Sequence, residues 1–330
     1  MTIDSGTDSS ARALWYTAPG TAVLRTEGLP PAGPAEVSVR TAYSGLSRGT
    51  ESLVFAGAVP RSEYARMRAP CQDGDFPFPV KYGYAAVGMV VEGPPALLGQ
   101  TVFALHPHQS RFVLPASAVI AVPADVPPRR AVLAANLETA LNALWDGAAL
   151  TGSRIAVVGA GVVGALTAWL AGRLPGAEVT LIDLRPEREA LAHALGVGFA
   201  LPEHAPAGCD LVIHASASAA GLDTALAAAG DEACVLELSW YGDRPVSARL
   251  GESFHSGRLR LIGSQVGRVA AAMRPRWTLR RRLEKALSLL ADPRLDTLLE
   301  ADIAFERLPD ALPALLGPGA GALCPVVRYA

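Results

Sequence analysis

The chain is poor in cysteine, in charge and in long apolar runs, and each shortage narrows what it can be. Its 330 residues include four cysteines, Cys71, Cys209, Cys234 and Cys324, widely spaced and without a C-x-x-C pair. That excludes a disulfide framework and a cysteine-rich zinc site, and the thiols read as buried and inert. Charged residues make up 18% and the formal net charge is -2, so nothing points to nucleic acid or to a polybasic membrane patch. The one basic cluster, Arg274, Arg276, Arg280, Arg281 and Arg282, has helical spacing and reads as a solvated helix face. No stretch reaches the roughly 18 to 20 apolar residues of a membrane span, and the opening MTIDSGTDSS lacks the basic-then-apolar pattern of a signal peptide. A cytoplasmic protein with no membrane partner is expected.

What is present is apolar residues, 50% of the chain, in a length that suits two domains. Residues 1–125 hold short apolar runs broken by Gly and Pro (VSVRTAY, YAAVGMVVEG, TVFALHP, SRFVLP), the texture of antiparallel β-structure. In residues 126–266 the rhythm changes. A helical stretch, AVLAANLETALNALWDGAAL, leads into alternating strands and helices: IAVVGA, VVGALTAWLAGRL, VTLID, PEREALAHAL, LVIHAS, GLDTALAAA, CVLELS. Alternation of this kind predicts an α/β fold with a doubly wound parallel sheet. Residues 267–330 add a helix (TLRRRLEKALSLL), ADIAFERL, a short helix and the closing strand CPVVRYA.

Inside the alternating block, Gly159-Ala160-Gly161-Val162-Val163-Gly164 fits G-x-G-x-x-G directly after the strand RIAVV and at the start of a helix. That context gives the motif its meaning: Gly159 for the turn, Gly161 for close approach of a pyrophosphate, Gly164 for helix–strand packing. The helix start, with Val162 and Val163, offers N–H groups to phosphates. Asp183, nineteen positions after Gly164, ends VTLID, where a carboxylate accepts from ribose hydroxyls and repels a 2′-phosphate. NAD is therefore favoured, with NADP as the alternative because Arg185 stands two residues on.

With SGLSRGTE (44–51), FPFPVKYGYAAVGMVVEG, GQTVFAL and the cofactor fingerprint in the order they occur, the chain resembles the medium-chain dehydrogenase/reductase family over nearly its whole length. The S-G-x-S-x-G-T-E and G-Y features are also similar to the branch with bacteriochlorophyllide hydroxyethyl dehydrogenases. The resemblance implies a GroES-like β-rich catalytic domain, a Rossmann domain, a C-terminal return to the catalytic domain, a small-molecule substrate, and a homodimer formed by sheet-edge pairing. It also marks departures. Ser47 stands where zinc-dependent members carry Cys, Tyr84 and Ala85 replace the His and Glu of G-H-E, and the segment near the other ligand reads Ala135-Asn136-Leu137-Glu138. No catalytic zinc is expected from such residues.

Without a metal, side chains must polarise the substrate oxygen and handle the proton. Tyr84, matching the family's ligand histidine, is the first choice for a substrate-facing hydroxyl, with Lys81 expected to lower its pKa; the alternative is a strand tyrosine bonded to backbone. Ser47 and Thr50 are read as orienting groups. Glu138 is either a base or a helix anchor, and His108 either ends a proton relay or is a half-exposed strand histidine. His106 and His108, two apart, are read as sharing one strand side, with no third metal ligand evident. Arg48 is placed against the pyrophosphate or, alternatively, in an ion pair with Glu51. Trp240 or Tyr241 is expected to wall the pocket or pack in the core. The resulting expectation is zinc-independent hydride transfer between nicotinamide and an alcohol or carbonyl, with C=C reduction or a non-catalytic nucleotide sensor as alternatives.

Overall fold

In the computed structural model, which describes residues 10–317 and 319–330, the chain divides into two units. One comprises residues up to Leu133 together with Leu299–Ala330, and the other Ala134–Leu298.

In the first unit the alternating apolar pattern forms sheets that are antiparallel except where Leu299–Ala304 runs parallel to Cys324–Arg328. Glu36–Gly45 is the central strand of a seven-stranded sheet. It pairs antiparallel with Ala86–Glu92, with Arg111–Pro115 and with the closing strand Cys324–Arg328. A four-stranded sheet holds Ser10–Ala18 between Thr21–Gly28 and Val80–Lys81. Buried Val37, Val39, Ala86, Val90, Val102 and Phe112 form a core between the strands. The helix Pro128–Ala131 packs on Glu36–Gly45 and Ala86–Glu92, which carries the boundary to Leu133 instead of the expected residue 125.

The second unit is the expected doubly wound sheet. Six parallel strands lie in the order Gly198–Ala200, Glu178–Ile182, Arg154–Val158, Cys209–His214, Ala229–Glu237, Arg260–Gly263. The strands RIAVV and CDLVIH are buried along nearly their whole length, as strands covered on both faces must be. The chain order reverses between Arg154–Val158 and Cys209–His214, so the ligand crevice of such a sheet lies beyond their carboxyl ends.

Three expectations are corrected here. The basic cluster is not simply a solvated face: in the helix Leu279–Leu289, Arg282 is 1% exposed and aligns with buried Leu283, Ala286 and Leu287. Its Nε donates to Glu138 Oε1 at 2.9 Å, and its other nitrogens donate to Asn142 and to the carbonyls of Val266 and Arg268. This pair ties the helix to Ala134–Asp146, so residues 268–298 belong with the parallel sheet and not with the C-terminal return. Removing one partner of such a pair leaves a buried charge, at a cost of about 3–5 kcal/mol. Among the cysteines, Cys71 is exposed, while Cys209, Cys234 and Cys324 are buried as expected.

Candidate functional site

In the first unit the segment SGLSRGTE bends from the strand Glu36–Gly45 into the helix Arg48–Ala56, with Ser47 at its N-cap. The Ser47 side chain makes no cap bond. Glu51 does that work, reaching back so that its Oε1 accepts from the Ser47 N–H at 2.7 Å. Its other oxygen, Oε2, accepts from Tyr16 at 2.9 Å and lies 3.0 Å from His108 Nε2. The opposite ring nitrogen of His108 is 2.7 Å from Ser44 Oγ, which is 2.9 Å from the Tyr329 hydroxyl. Glu51 and His108 are both 0% exposed, and this buried polar pair is tolerated because both Glu51 oxygens and both His108 nitrogens have hydrogen-bond partners.

Tyr84 lies beside this network, partly buried, with hydrogen bonds to Ser47 and Thr50. Burial, with Glu51 adding to it and the Ser47 and Thr50 bonds opposing it, pushes the phenol up to about 12. The expected lowering by Lys81 does not occur. Lys81 Nζ is 2.7 Å from Glu27 and 3.5 Å from Asp73 and lies over the Trp15 ring. Between the two residues Gly83, at φ +116°, turns the chain. A Cβ there would come within 2.7 Å of the His108 ring, so this glycine is required for the approach of backbone to imidazole.

His108 is not a half-exposed strand histidine. It lies, like His106, between the strands Thr101–Ala104 and Arg111–Pro115. His106 stacks on Phe112, with ring centroids 4.0 Å apart, and burial lowers its pKa to about 3. Arg48 donates to the Ala322 carbonyl at 3.3 Å, whereas Glu51 is occupied by Ser47, Tyr16 and His108, which does not give the ion pair between them that was the alternative. Sequence reasoning missed Glu51 as the centre of the network. It also missed Cys324, whose thiol is pushed up to about 12 by burial and by Glu51.

Zinc needs about three ligands from thiolate, imidazole and carboxylate. Here Tyr84 offers a phenol in place of an imidazole, Cys324 is buried, and both His108 nitrogens face hydrogen-bond partners. This donor set does not fit a catalytic zinc. Among the described residues no cluster of three or more His, Cys, Asp or Glu is placed to hold a metal.

In the second unit the glycine turn behaves as its spacing predicts. Gly159 has φ +108°, and its N–H donates to the Ile182 carbonyl at 2.8 Å. A Cβ at Gly164 would fall on the Gly159 carbonyl oxygen, so only glycine lets the helix Val162–Ala171 meet the turn. Gly161, the N-cap, has open space where its Cβ would be and no side chain capping the helix. The N–H groups at Val162, Val163 and Gly164 have no intrahelical acceptor, and free donors at a helix start are of the kind that hold anions. Asp183 is clamped beside it: Oδ2 accepts from the Ala160 N–H at 2.7 Å and Oδ1 from the Arg185 N–H at 3.0 Å. These residues fit a dinucleotide.

Glu138 sits in this unit with Arg282, the anchoring contact described above; burial raises its pKa and Arg282 opposes the rise. Tyr241 donates to Glu237 at 2.9 Å and so is held by a polar partner, not by core packing alone, while Trp240 is partly exposed.

No family model matches the chain. Solved structures do. L-idonate 5-dehydrogenase from Escherichia coli K-12 superposes with a TM-score of 0.78 at 15% identity, over 97% of this chain and 98% of that one. An alcohol dehydrogenase from E. coli CFT073 complexed with NADH gives 0.74 at 17%, over 97% and 100%. A dehydrogenase from Sinorhizobium meliloti 1021 bound to NADP gives 0.76 at 19%, over 97% and 100%. From its glycine turn to its closing strand, this chain has the fold of the zinc-type alcohol dehydrogenase-like medium-chain dehydrogenases and reductases.

Proposed function

We propose that this chain is a zinc-independent, nicotinamide-dependent oxidoreductase that moves a hydride between the cofactor and an alcohol or carbonyl of a small molecule. The observation that carries the reading is the Gly159–Gly164 turn with Asp183 clamped to Ala160, at the switch point of a six-stranded parallel sheet. Proteins of this fold include alcohol and polyol dehydrogenases, and structures of the fold hold NADP and NADH. The cofactor supplies the hydride chemistry. Gly161, Val162 and Val163 would hold its pyrophosphate, and Asp183 its adenosine ribose.

Tyr84 is the proposed donor to the substrate oxygen, oriented by Ser47 and Thr50. A phenol at about 12 stays protonated through the neutral range and therefore acts as an acid, not a base. Absence of zinc is supported by the donor set of Ser47, Tyr84 and Cys324. A homodimer is supported by the open edge strand Arg260–Gly263, which exposes Leu261 and Ile262.

Fluorescence titration tests the cofactor reading. NADH should bind more tightly than NADPH, and Asp183→Ala should weaken NADH by roughly 10- to 150-fold, the worth of a charge-assisted hydrogen bond of about 1.5–3 kcal/mol. NADPH should lose much less. Equal affinity for both cofactors in the parent protein would remove the role given to Asp183.

A further inference from the structure

Positive charge is unevenly spread along the chain. Residues 258–285 hold eight arginines and one lysine against a single acid, Glu284, although the whole chain has 29 basic and 31 acidic residues. Three of these arginines are answered by carboxylates. Arg258 Nε lies 3.6 Å from Glu232, Arg280 Nε lies 2.7 Å from Glu284, and Arg282 forms the buried pair with Glu138. Arg268, Arg274, Arg276 and Arg281 are exposed and meet no carboxylate among the described residues.

Two of these unanswered cations are nevertheless held in place. Arg274 Nε donates to the Val269 carbonyl at 2.8 Å, and a terminal nitrogen of Arg281 donates to the Arg276 carbonyl. The Arg281 guanidinium also lies over the Trp277 ring, 4.1 Å from its centre, and Trp277 packs on Trp145 with ring centroids 4.8 Å apart. The chain between them is tightly turned. The Arg274 N–H donates to the Ala270 carbonyl, and the Arg276 and Trp277 N–H groups both donate to the Met273 carbonyl. Thr278 then caps the helix Leu279–Leu289 by accepting from the Arg281 N–H at 3.1 Å.

Holding such side chains has a cost and, within the chain, no matching gain. A long exposed side chain loses rotamer entropy when it is fixed, and cations set close together repel. The first turn of Leu279–Leu289 carries no acid, so its positive dipole end adds to the repulsion. An anion relieves both terms. A guanidinium has several N–H donors, and Arg274 and Arg281 each keep most of theirs after their carbonyl bonds. Planar forks of this kind recognise phosphate and carboxylate oxygens in pairs. Four unanswered charges in one stretch favour the ligand with more than one negative charge, a phosphate. Because the forks are fixed beforehand, less entropy is lost when it binds.

We propose that residues 268–281 form a binding site for a phosphate-bearing anion, held by Arg276 and Arg281 with Arg274 on the same run of turns. The site uses none of the residues assigned to the dinucleotide, and it does not depend on the oxidoreductase reading. Trp277 is its platform: the ring fixes the Arg281 fork from one side and leaves the N–H edge to the ligand. Arg282, next in sequence, belongs to the fold instead, since its guanidinium is bonded to Glu138, Asn142 and the carbonyls of Val266 and Arg268.

Calorimetric titration of the full chain with inorganic phosphate and with methyl phosphate, at constant ionic strength and with or without saturating NADH, tests this. Both ligands should bind in the millimolar range or tighter, and NADH should not displace them. The order of their affinities distinguishes free phosphate from a phosphorylated molecule. Arg281→Gln should weaken binding by roughly 10- to 150-fold, the worth of a charge-assisted hydrogen bond. Arg281→Lys keeps the charge but loses the fork, and should fall between the parent and Arg281→Gln. Arg276→Gln, at an exposed position, should show a similar loss and decides the matter if Arg281→Gln does not fold. Arg66→Gln, which removes an exposed arginine of the other unit, should change nothing. Absence of binding in the millimolar range overturns the site, as does an affinity unmoved in both glutamine variants or an equal loss in Arg66→Gln. Displacement by NADH overturns it too, because the phosphate then lies at the glycine turn.

Discussion

Tyr84→Phe is expected to lower turnover by roughly 10²- to 10⁴-fold, the usual contribution of a positioned acid–base group, with little change in NADH affinity. Phenylalanine fills the same volume but brings no proton, so the loss reads the hydroxyl alone. The phenol sits in hydrogen-bonding contact with Ser47 and Thr50 and is pushed up to about 12 by burial first and by Glu51 after it. It should therefore stay protonated to well above pH 9, and the pH–rate profile should show no alkaline limb from it in the neutral range. Lys81→Met should leave that profile unmoved, because Lys81 answers to Glu27 and Asp73. Steady-state rates across pH for both variants check this. A Tyr84→Phe protein that keeps more than about a third of its kcat would assign the proton elsewhere.

The glycines of the turn separate packing from binding, and their two alanine variants should behave differently. In Gly164→Ala the new methyl meets the Gly159 carbonyl oxygen, so helix and turn must move apart. Overpacking of this kind costs about 1–3 kcal/mol, so the melting temperature should fall and NADH should bind roughly 5- to 150-fold more weakly. Gly161 has φ -73° and open space around its missing Cβ. Gly161→Ala should keep the parent melting temperature and lose affinity only, because the methyl occupies the room a pyrophosphate needs. Calorimetry and fluorescence titration of the two proteins distinguish these outcomes. Equal NADH affinity in Gly161→Ala and the parent would mean that the pyrophosphate does not approach this turn.

Features written within a few residues of each other are legible in the amino-acid sequence alone. The strand RIAVV, the glycine turn and the helix after it announce themselves by apolar period and glycine spacing, and Asp183 follows from the length of one βαβ unit. The pairs that define the polar networks are not legible in that way, because they join positions far apart in sequence. Glu51 and His108 are 57 residues apart, and Arg282 and Glu138 144. Periodicity shows that Arg282 shares a helix with other arginines, but not that its side chain has a buried carboxylate to reach. Lys81 misleads for a related reason. Proximity in sequence suggests proximity to the Tyr84 hydroxyl, whereas the turn at Gly83 separates the two and Trp15 and Glu27 collect the ammonium. For His214 and Glu237, whose Nδ1 and Oε2 lie 2.7 Å apart, a signal does exist. Both are polar residues directly after the buried apolar runs Leu211-Val212-Ile213 and Ala233-Cys234-Val235-Leu236 of parallel strands, where a polar side chain needs a partner, and adjacent strand ends are where it finds one.

The central claim is hydride transfer on this fold without zinc. It is tested most directly by following NADH consumption by chelator-treated protein against a panel of aldehydes and ketones, with the metal content of the same sample measured. The account predicts that NADH is consumed in step with a carbonyl, at a rate the chelator does not change, in protein holding far less than about one zinc per chain. Consumption that stops on chelation and returns only when zinc is restored would contradict it.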